Sequence, residues 1–288
     1  MQGPRLSSLA AVLLLLLPAL AVQAQQGTLD KIKESGTIVI GHRESSVPFA
    51  YLNDQQQPEG YSIDLCLRFV ERVRQELELD ELQVRYVPVN PRTRIPLLVN
   101  GTIDIECGST TNNLTRQQQV DYAHTTFITG TKLLVKQDSG IEEVEDLEGK
   151  VIALAQGTTN ERAIKAVMEE KGLAMDILPV KDHAEGFLAL QTDRVDAYST
   201  DHILLHGLIA KSKNPDDYAV VGRFLSFDPY AIMVRRNDSP FRLVVNKELS
   251  DIFRSGDIVG IYAKWFGPMG VPPTDLLTAA FIIQALPY

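Results

Sequence analysis

Apolar positions along this chain alternate between two periods. Thr37 to Gly41 (TIVIG), Leu82 to Val89, Ile103 to Glu106, Val151 to Leu154, Ile177 to Val180 and Val195 to Ser199 are short runs with the pattern of buried strands. Between them the period lengthens. Tyr61 to Leu77 sets Ile63, Leu67, Val70 and Leu77 on one helical face and Arg68, Arg72 and Arg74 elsewhere. Leu29 to Ser35, Arg94 to Asn100, Gly157 to about Lys171, His183 to Gln191, Ile203 to Lys211, Phe241 to Arg254 and Asp257 to Phe266 predict further helices. Phe49 to Gly60 predicts a hairpin, with Asn53-Asp54 and Pro58 as turn formers. Phe127 to Lys136, Val220 to Phe224 and Tyr230 to Val234 read as extended, and Pro268 to Pro273 leads into a short apolar tail. Strand and helix alternate throughout, which is the mark of α/β architecture. The order strand, helix, strand, helix, strand occurs once in each half, so two similar α/β lobes are expected.

The stretch Ile103 to Tyr122 (IDIECGSTTNNLTRQQQVDY) passes from strand alternation through small hydroxyl residues into a helix. Thr115 is the expected N-cap, with Gln118 three residues on and Arg116 at the first helical position. Ser109, Thr110, Thr111, a helix N-terminus and one guanidinium make a carboxylate clamp, or else an ordinary strand–turn–helix junction. Gly157-Thr158-Thr159-Asn160 repeats the arrangement in the second half. In open α/β sheets ligands bind at the carboxyl ends of strands. Arg43, Ser109, Thr158 and Asp201 all fall just beyond expected strand ends.

Composition and charge narrow the field. In the 288-residue chain, 44% of residues are hydrophobic and 23% charged, as in ordinary globular proteins. The formal charge of −9 disfavours nucleic acid and anionic membranes as partners. Residues 1–24 read as a signal peptide: Arg5, the apolar run Leu6 to Leu20, and Val22-Gln23-Ala24 as the cleavage site. The expected product is exported, begins at Gln25 and carries no lipidated cysteine. Cys66 and Cys107 are then either one disulfide or two buried thiols. The histidines are scattered, and His202 and His206, though spaced i,i+4, have no third ligand nearby, so no metal site is expected.

Arg43, Arg94 and Arg116 supply more positive charge than one carboxylate uses, and Asp201 suits an ammonium. Two carboxylates and one ammonium describe an acidic amino acid; the alternative is that each arginine pairs with surface acids. Almost the whole mature chain resembles the exported solute-binding proteins for polar amino acids, and most nearly the glutamate/aspartate-binding proteins of bacterial uptake systems. The residues that carry the resemblance are GHRESSVPFAY (Gly41 to Tyr51), GYSIDLC (Gly60 to Cys66), RIPLLVNGTIDIECGSTTNN (Arg94 to Asn113), GTT (Gly157 to Thr159), KDH (Lys181 to His183) and KWF (Lys264 to Phe266).

The resemblance implies a two-lobed, periplasmic-binding-protein-like fold of type II, with two crossing hinge strands and the ligand between the lobes. Residues 25–129 and 232–288 would form the first lobe and 130–231 the second. It implies ligand contacts at Arg43, Arg94, Ser109, Thr111, Arg116, Thr158, Thr159, His183 and Asp201. Arg116 and the hydroxyls would hold the α-carboxylate, Asp201 the ammonium, and Arg43, Arg94 and His183 the side-chain carboxylate. It also implies a periplasmic monomer without cofactor that serves an inner-membrane ABC permease. The competing reading is a periplasmic cyclohexadienyl dehydratase, acting on prephenate or arogenate, on the same fold. Where relatives have a small polar residue before the second arginine, this chain has Asn90-Pro91-Arg92-Thr93, which leaves Asn90 or Thr93 to take that contact. With both cysteines then in the first lobe, a Cys66–Cys107 bond is favoured.

Overall fold

The computed structural model describes residues 26–288, and the expected leader at residues 1–24 lies outside the described residues. The chain opens with α1 (Thr28–Ser35), β1 (Thr37–His42), the small antiparallel strands β2 (Ser45–Ser46), β3 (Ala50–Leu52) and β4 (Pro58–Glu59), and α2 (Tyr61–Glu76). Then come β5 (Gln83–Pro88), α3 (Arg94–Val99), β6 (Ile105–Cys107), α4 (Leu114–Gln117) and the long β7 (Val120–Thr129). A second unit follows: β8 (Thr131–Lys136), β9 (Val151–Ala155), α5 (Thr159–Lys171), β10 (Asp176–Val180), α6 (His183–Gln191), β11 (Ala197–Asp201), α7 (His202–Ala210) and β12 (Tyr218–Val221). The chain returns through β13 (Asp228–Arg235) to α8 (Ser239–Ser255), α9 (Asp257–Phe266) and α10 (Asp275–Gln284). No helix of the described residues is long and apolar enough to cross a membrane.

The two large sheets follow one plan. The first runs β5-β1-β6-β13-β7 and the second β10-β9-β11-β8-β12. In each, the first strand of the strand–helix–strand–helix–strand unit lies between the second and third, and all three are parallel. Two antiparallel strands complete each sheet. An order of 2-1-3 puts a topological switch point between the first and third strands, where a crevice opens at their carboxyl ends. Arg43 and Ser109 follow β1 and β6 at one switch point; Thr158 and Asp201 stand at the ends of β9 and β11 at the other.

The sheets are joined where β7 passes through Gly130 into β8 and where β12 leads to β13. β13 lies between β6 and β7 and pairs with β7 from Asp228↔Thr129 to Arg235↔Val120. Phe49, Tyr61, Phe127, Tyr230 and Phe266 meet in one aromatic cluster, which binds the start, middle and end of the chain into a single core. Cys66 of α2 is bonded to Cys107 at the end of β6. Ser62 Oγ, one turn earlier on α2, donates to the Gly108 carbonyl at 2.9 Å. Two fastenings from one helix therefore fix the loop that carries Ser109 and Thr111.

Two local expectations are corrected. Asn113, not Thr115, caps α4, and its side chain accepts from the Arg116 amide at 2.9 Å. Asparagine is at least as good a cap as threonine, and the shift moves Arg116 two places further into the helix. The run Phe127 to Lys136 is extended as expected, as two strands in different sheets parted at Gly130. The expected apolar tail is largely α10, capped by the Thr274 hydroxyl and anchored by buried Leu277 and Phe281 at i,i+4. Exposed Ile282 and Ile283 blur the apolar stripe that would have announced it.

Candidate functional site

Arg43, Arg94, Ser109, Thr111, Thr158, Thr159, His183 and Asp201 line one cleft between the two sheets, together with Asn160 and Leu204. The space left between these side chains is only about 10 Å³, far below the roughly 300–1,000 Å³ of drug-sized ligand sites, so the two walls stand nearly in contact and must part to admit a ligand. A wider groove along Phe253, Ile258, Tyr262 and Phe281 gathers no charged side chain.

The first-lobe wall is built on buried guanidinium groups. Arg43 and Arg94 are each 2% exposed and Arg116 is 4% exposed. None of them belongs to an ion pair among the described residues, although seventeen such contacts within 4.0 Å link other side chains. Arg94, the first residue of α3, donates through Nη1 to Thr110 Oγ1 at 2.6 Å, and the Thr110 hydroxyl in turn donates to Glu106 Oε2 at 2.8 Å. Burial, and after it repulsion by Arg94, brings the Arg43 and Arg116 guanidinium groups down to about 10. Both stay charged at neutral pH. Arg94 Nε, Ser109 Oγ and Glu106 Oε1 are buried with no hydrogen-bond partner. Such groups are rare in folded proteins because each costs about 1–3 kcal/mol.

Arg116 is the exception to the convergence. Its guanidinium is not in the cleft wall; it donates to the Thr111 carbonyl at 2.8 Å and, across to the second lobe, to the Gly157 carbonyl at 3.2 Å. The lobes also meet where Thr111 Oγ1 and Thr159 Oγ1 stand 3.2 Å apart and where Arg92 Nη1 donates to Gln156 Oε1 at 2.9 Å. Asn90 and Thr93 do not line the cleft. Asn90 Oδ1 accepts from the Arg92 and Thr93 amides, and Thr93 Oγ1 accepts from the Asn90 amide, so this loop spends its polar groups on itself.

The second-lobe wall carries hydroxyls, an amide, an imidazole and one carboxyl. Thr158 caps α5, accepting from the Glu161 amide at 3.0 Å, so the positive end of a thirteen-residue helix faces the cleft. Asp201 Oδ1 accepts from Asn160 Nδ2 at 2.9 Å and Oδ2 accepts from the Tyr230 hydroxyl. Burial, then repulsion by Asp228, pushes the Asp201 carboxyl up to about 7. His183 bonds on both sides, with Nε2 3.4 Å from Arg43 Nη2 and Nδ1 2.7 Å from Tyr198 Oη. Arginine can only donate, so Nε2 accepts and Nδ1 carries the hydrogen. Burial, then the charges of Arg43 and Arg94, holds the ring well below the usual imidazole range, and it is neutral.

Asn160, Leu204, Glu106 and Tyr230 were not singled out from sequence. Asn160 had a signal, since it closes the hydroxyl cluster that opens α5. Glu106 also had one: it is an acid between Ile105 and Cys107 in an otherwise apolar strand, and the structure buries it wholly. Gly108 makes room for it, because a Cβ there would stand 2.4 Å from Glu106 Oε1 and 2.8 Å from Arg43 Cγ. Among the described residues no group of three or more His, Cys, Asp or Glu is placed to hold a metal ion.

A cleft between two switch points, lined with polar side chains on both walls, is the plan of a solute receptor. The model of the bacterial extracellular solute-binding proteins, family 3, matches residues 38–268. The chain belongs to that family. Within it, the chain is 47% identical over 275 residues to the L-glutamate/L-aspartate-binding protein of Pseudomonas aeruginosa, spanning 95% of this chain and 91% of that one. It is 41% identical over 256 residues to the glutamate/aspartate import solute-binding protein of Escherichia coli, spanning 89% and 84%. Among solved structures, an ancestral amino acid-binding protein described as a precursor of cyclohexadienyl dehydratase superposes with a TM-score of 0.72 at 28% identity. That superposition covers 83% of this family 3 chain and 99% of the ancestral protein. Family membership thus agrees with the two-lobed α/β fold.

Proposed function

We propose that this family 3 protein is an extracytoplasmic receptor for L-glutamate and L-aspartate that delivers them to an ABC-type permease. One observation carries the reading: buried Arg43 and Arg94 line the cleft and buried Arg116 lies behind it, none with a carboxylate within 4.0 Å among the described residues. Buried charge is costly until it is paired, and two carboxylates on one small ligand supply the pairing. Asp201 takes the ammonium. Arg43 and Arg94 hold the side-chain carboxylate, with His183 orienting Arg43 by accepting its N–H. Ser109, Thr111 and the start of α5 take the α-carboxylate, and Arg116, held behind that loop by the Thr111 and Gly157 carbonyls, adds its positive charge from there. The lobes, residues 25–129 with 232–288 and residues 130–231, close about the β7–β13 ribbon.

The names of the Pseudomonas and Escherichia relatives support this reading. A dehydratase would need a general acid or base in the cleft, whereas the His183 ring spends both nitrogens on Arg43 and Tyr198. A thermal-shift screen of all common amino acids tests the proposal. Ligand at a hundred times its Kd should stabilise the protein by about 2.7 kcal/mol, with glutamate and aspartate giving the largest shifts. A screen led by a neutral or basic amino acid would overturn it.

The Asp201 carboxyl adds a pH dependence. With its titration near 7 in the free cleft, the group is protonated below that pH and must lose the proton to receive an ammonium. Glutamate affinity should therefore fall as pH drops from about 7.5 to about 5.5, by no more than about ten-fold per unit for one linked proton. Calorimetry across that range checks it, and a flat profile counts against Asp201 as the ammonium partner.

A further inference from the structure

Helix α7, HILLHGLIA, is apolar almost all round, the habit of a helix covered on both sides. Leu205 and Leu208 enter the second lobe's core, while Ile203 and Leu204 join the first-lobe cluster with Phe49 and Tyr230. On the Leu204 side, three and seven residues on, lie Gly207 and Lys211. Lys211 Nζ stands 4.9 Å above the Tyr51 ring of the first lobe. The turn Gly267–Met269, also of the first lobe, packs on the same helix.

Gly207 is the closest point of this contact. A Cβ on it would stand 2.2 Å from the Val47 carbonyl oxygen and 2.8 Å from the carbonyl carbon, whereas non-bonded heavy atoms rest about 3.5–4.0 Å apart. Both atoms are main chain, so no side chain can swing aside. Glycine is a poor residue for a helix interior, and a close approach of this kind is the reason to place one there. Gly207 does not line the cleft.

We propose that Gly207 sets the depth to which the lobes close, and so acts as a positioning residue for ligand affinity. Any side chain at this place holds α7 off the Val47–Pro48 turn. It thereby withdraws Asp201, at the head of the same helix, from Arg43 and Arg94 on the facing wall. The inference rests on the reading that ligand is gripped by lobe closure, but not on which amino acid is gripped.

Two consequences of Gly207→Ala have opposite sign, which makes the test selective. Alanine is the better helix former, so the free variant should melt at or above the wild-type temperature. Crowding felt only in the closed form should weaken L-glutamate binding roughly five- to hundred-fold. Small-angle scattering should show a smaller glutamate-induced compaction than in wild type, and Gly207→Leu should enlarge both effects. Wild-type affinity and compaction in Gly207→Ala would overturn the proposal. So would a free variant that melts far below wild type, since the clash would then lie within a lobe. If the wild type compacts with an amino acid other than glutamate, the ligand assignment fails and the same comparison on that amino acid decides the role of Gly207.

Discussion

Arg116→Ala is expected to abolish binding of every amino acid, acidic or not. The side chain joins the Thr111 carbonyl of one lobe to the Gly157 carbonyl of the other. Its loss takes a donor from each of two carbonyls at the lobe junction, leaving Thr111 only the Tyr122 hydroxyl at 3.3 Å, and removes a charge beside Thr111 and the head of α5. Truncating one partner of a buried charged contact costs about 2–5 kcal/mol, and each orphaned group about 1–3 kcal/mol. A total on the order of 5 kcal/mol is a loss of several thousand-fold. Calorimetry with glutamate, aspartate and glutamine, beside a melting curve of the free variant, checks this. Glutamine binding kept near its original strength would show that Arg116 serves only the acidic side chain.

Arg43→Met should separate acidic from amide ligands. Methionine refills much of the space of a side chain that is 2% exposed, so the fold should hold while the guanidinium is lost. Glutamate and aspartate should lose about 2–4 kcal/mol, roughly thirty- to thousand-fold. Glutamine should lose much less, because it brings no second negative charge to be paired. Arg94→Met should act in the same direction, and it also frees Thr110 and Glu106 beneath it. Competition of glutamine against labelled glutamate reads the ratio directly. Unchanged glutamate affinity in Arg43→Met would sink the dicarboxylate assignment.

The strands and most helices were legible because each is a local pattern. The period along Tyr61 to Leu77 and the β-branched run at Thr37 to Gly41 need no distant partner to be recognised. Strand ends followed from these, which is why Arg43, Ser109, Thr158 and Asp201 could be named together. Less was legible where a residue's partner is remote in sequence. Tyr230 reaches Asp201 from a strand that arrives only after the whole second lobe, and Asn160 reaches it from α5. The direction of Arg116 was also hidden. A guanidinium beside hydroxyls announces an anion, but two main-chain carbonyls, one from each lobe, compete for the same donors. The missed α10 shows the limit from the other side, since its stripe is interrupted by apolar residues left in solvent.

The place of β13 bears on how the chain is made. β8 through β12 form an uninterrupted stretch, so the second sheet holds all its strands before the rest of the polypeptide is synthesised. The first sheet cannot close then: its strand between β6 and β7 begins at Asp228, more than a hundred residues after β6 ends. Until that strand arrives, β6 and β7 each present an unpaired edge, and such edges pair readily with other chains. Closing so long a loop is slow. A chain truncated before β13 would therefore be expected to keep an intact second lobe beside an aggregating first one, and a protein kept extended until its synthesis is finished would escape that hazard.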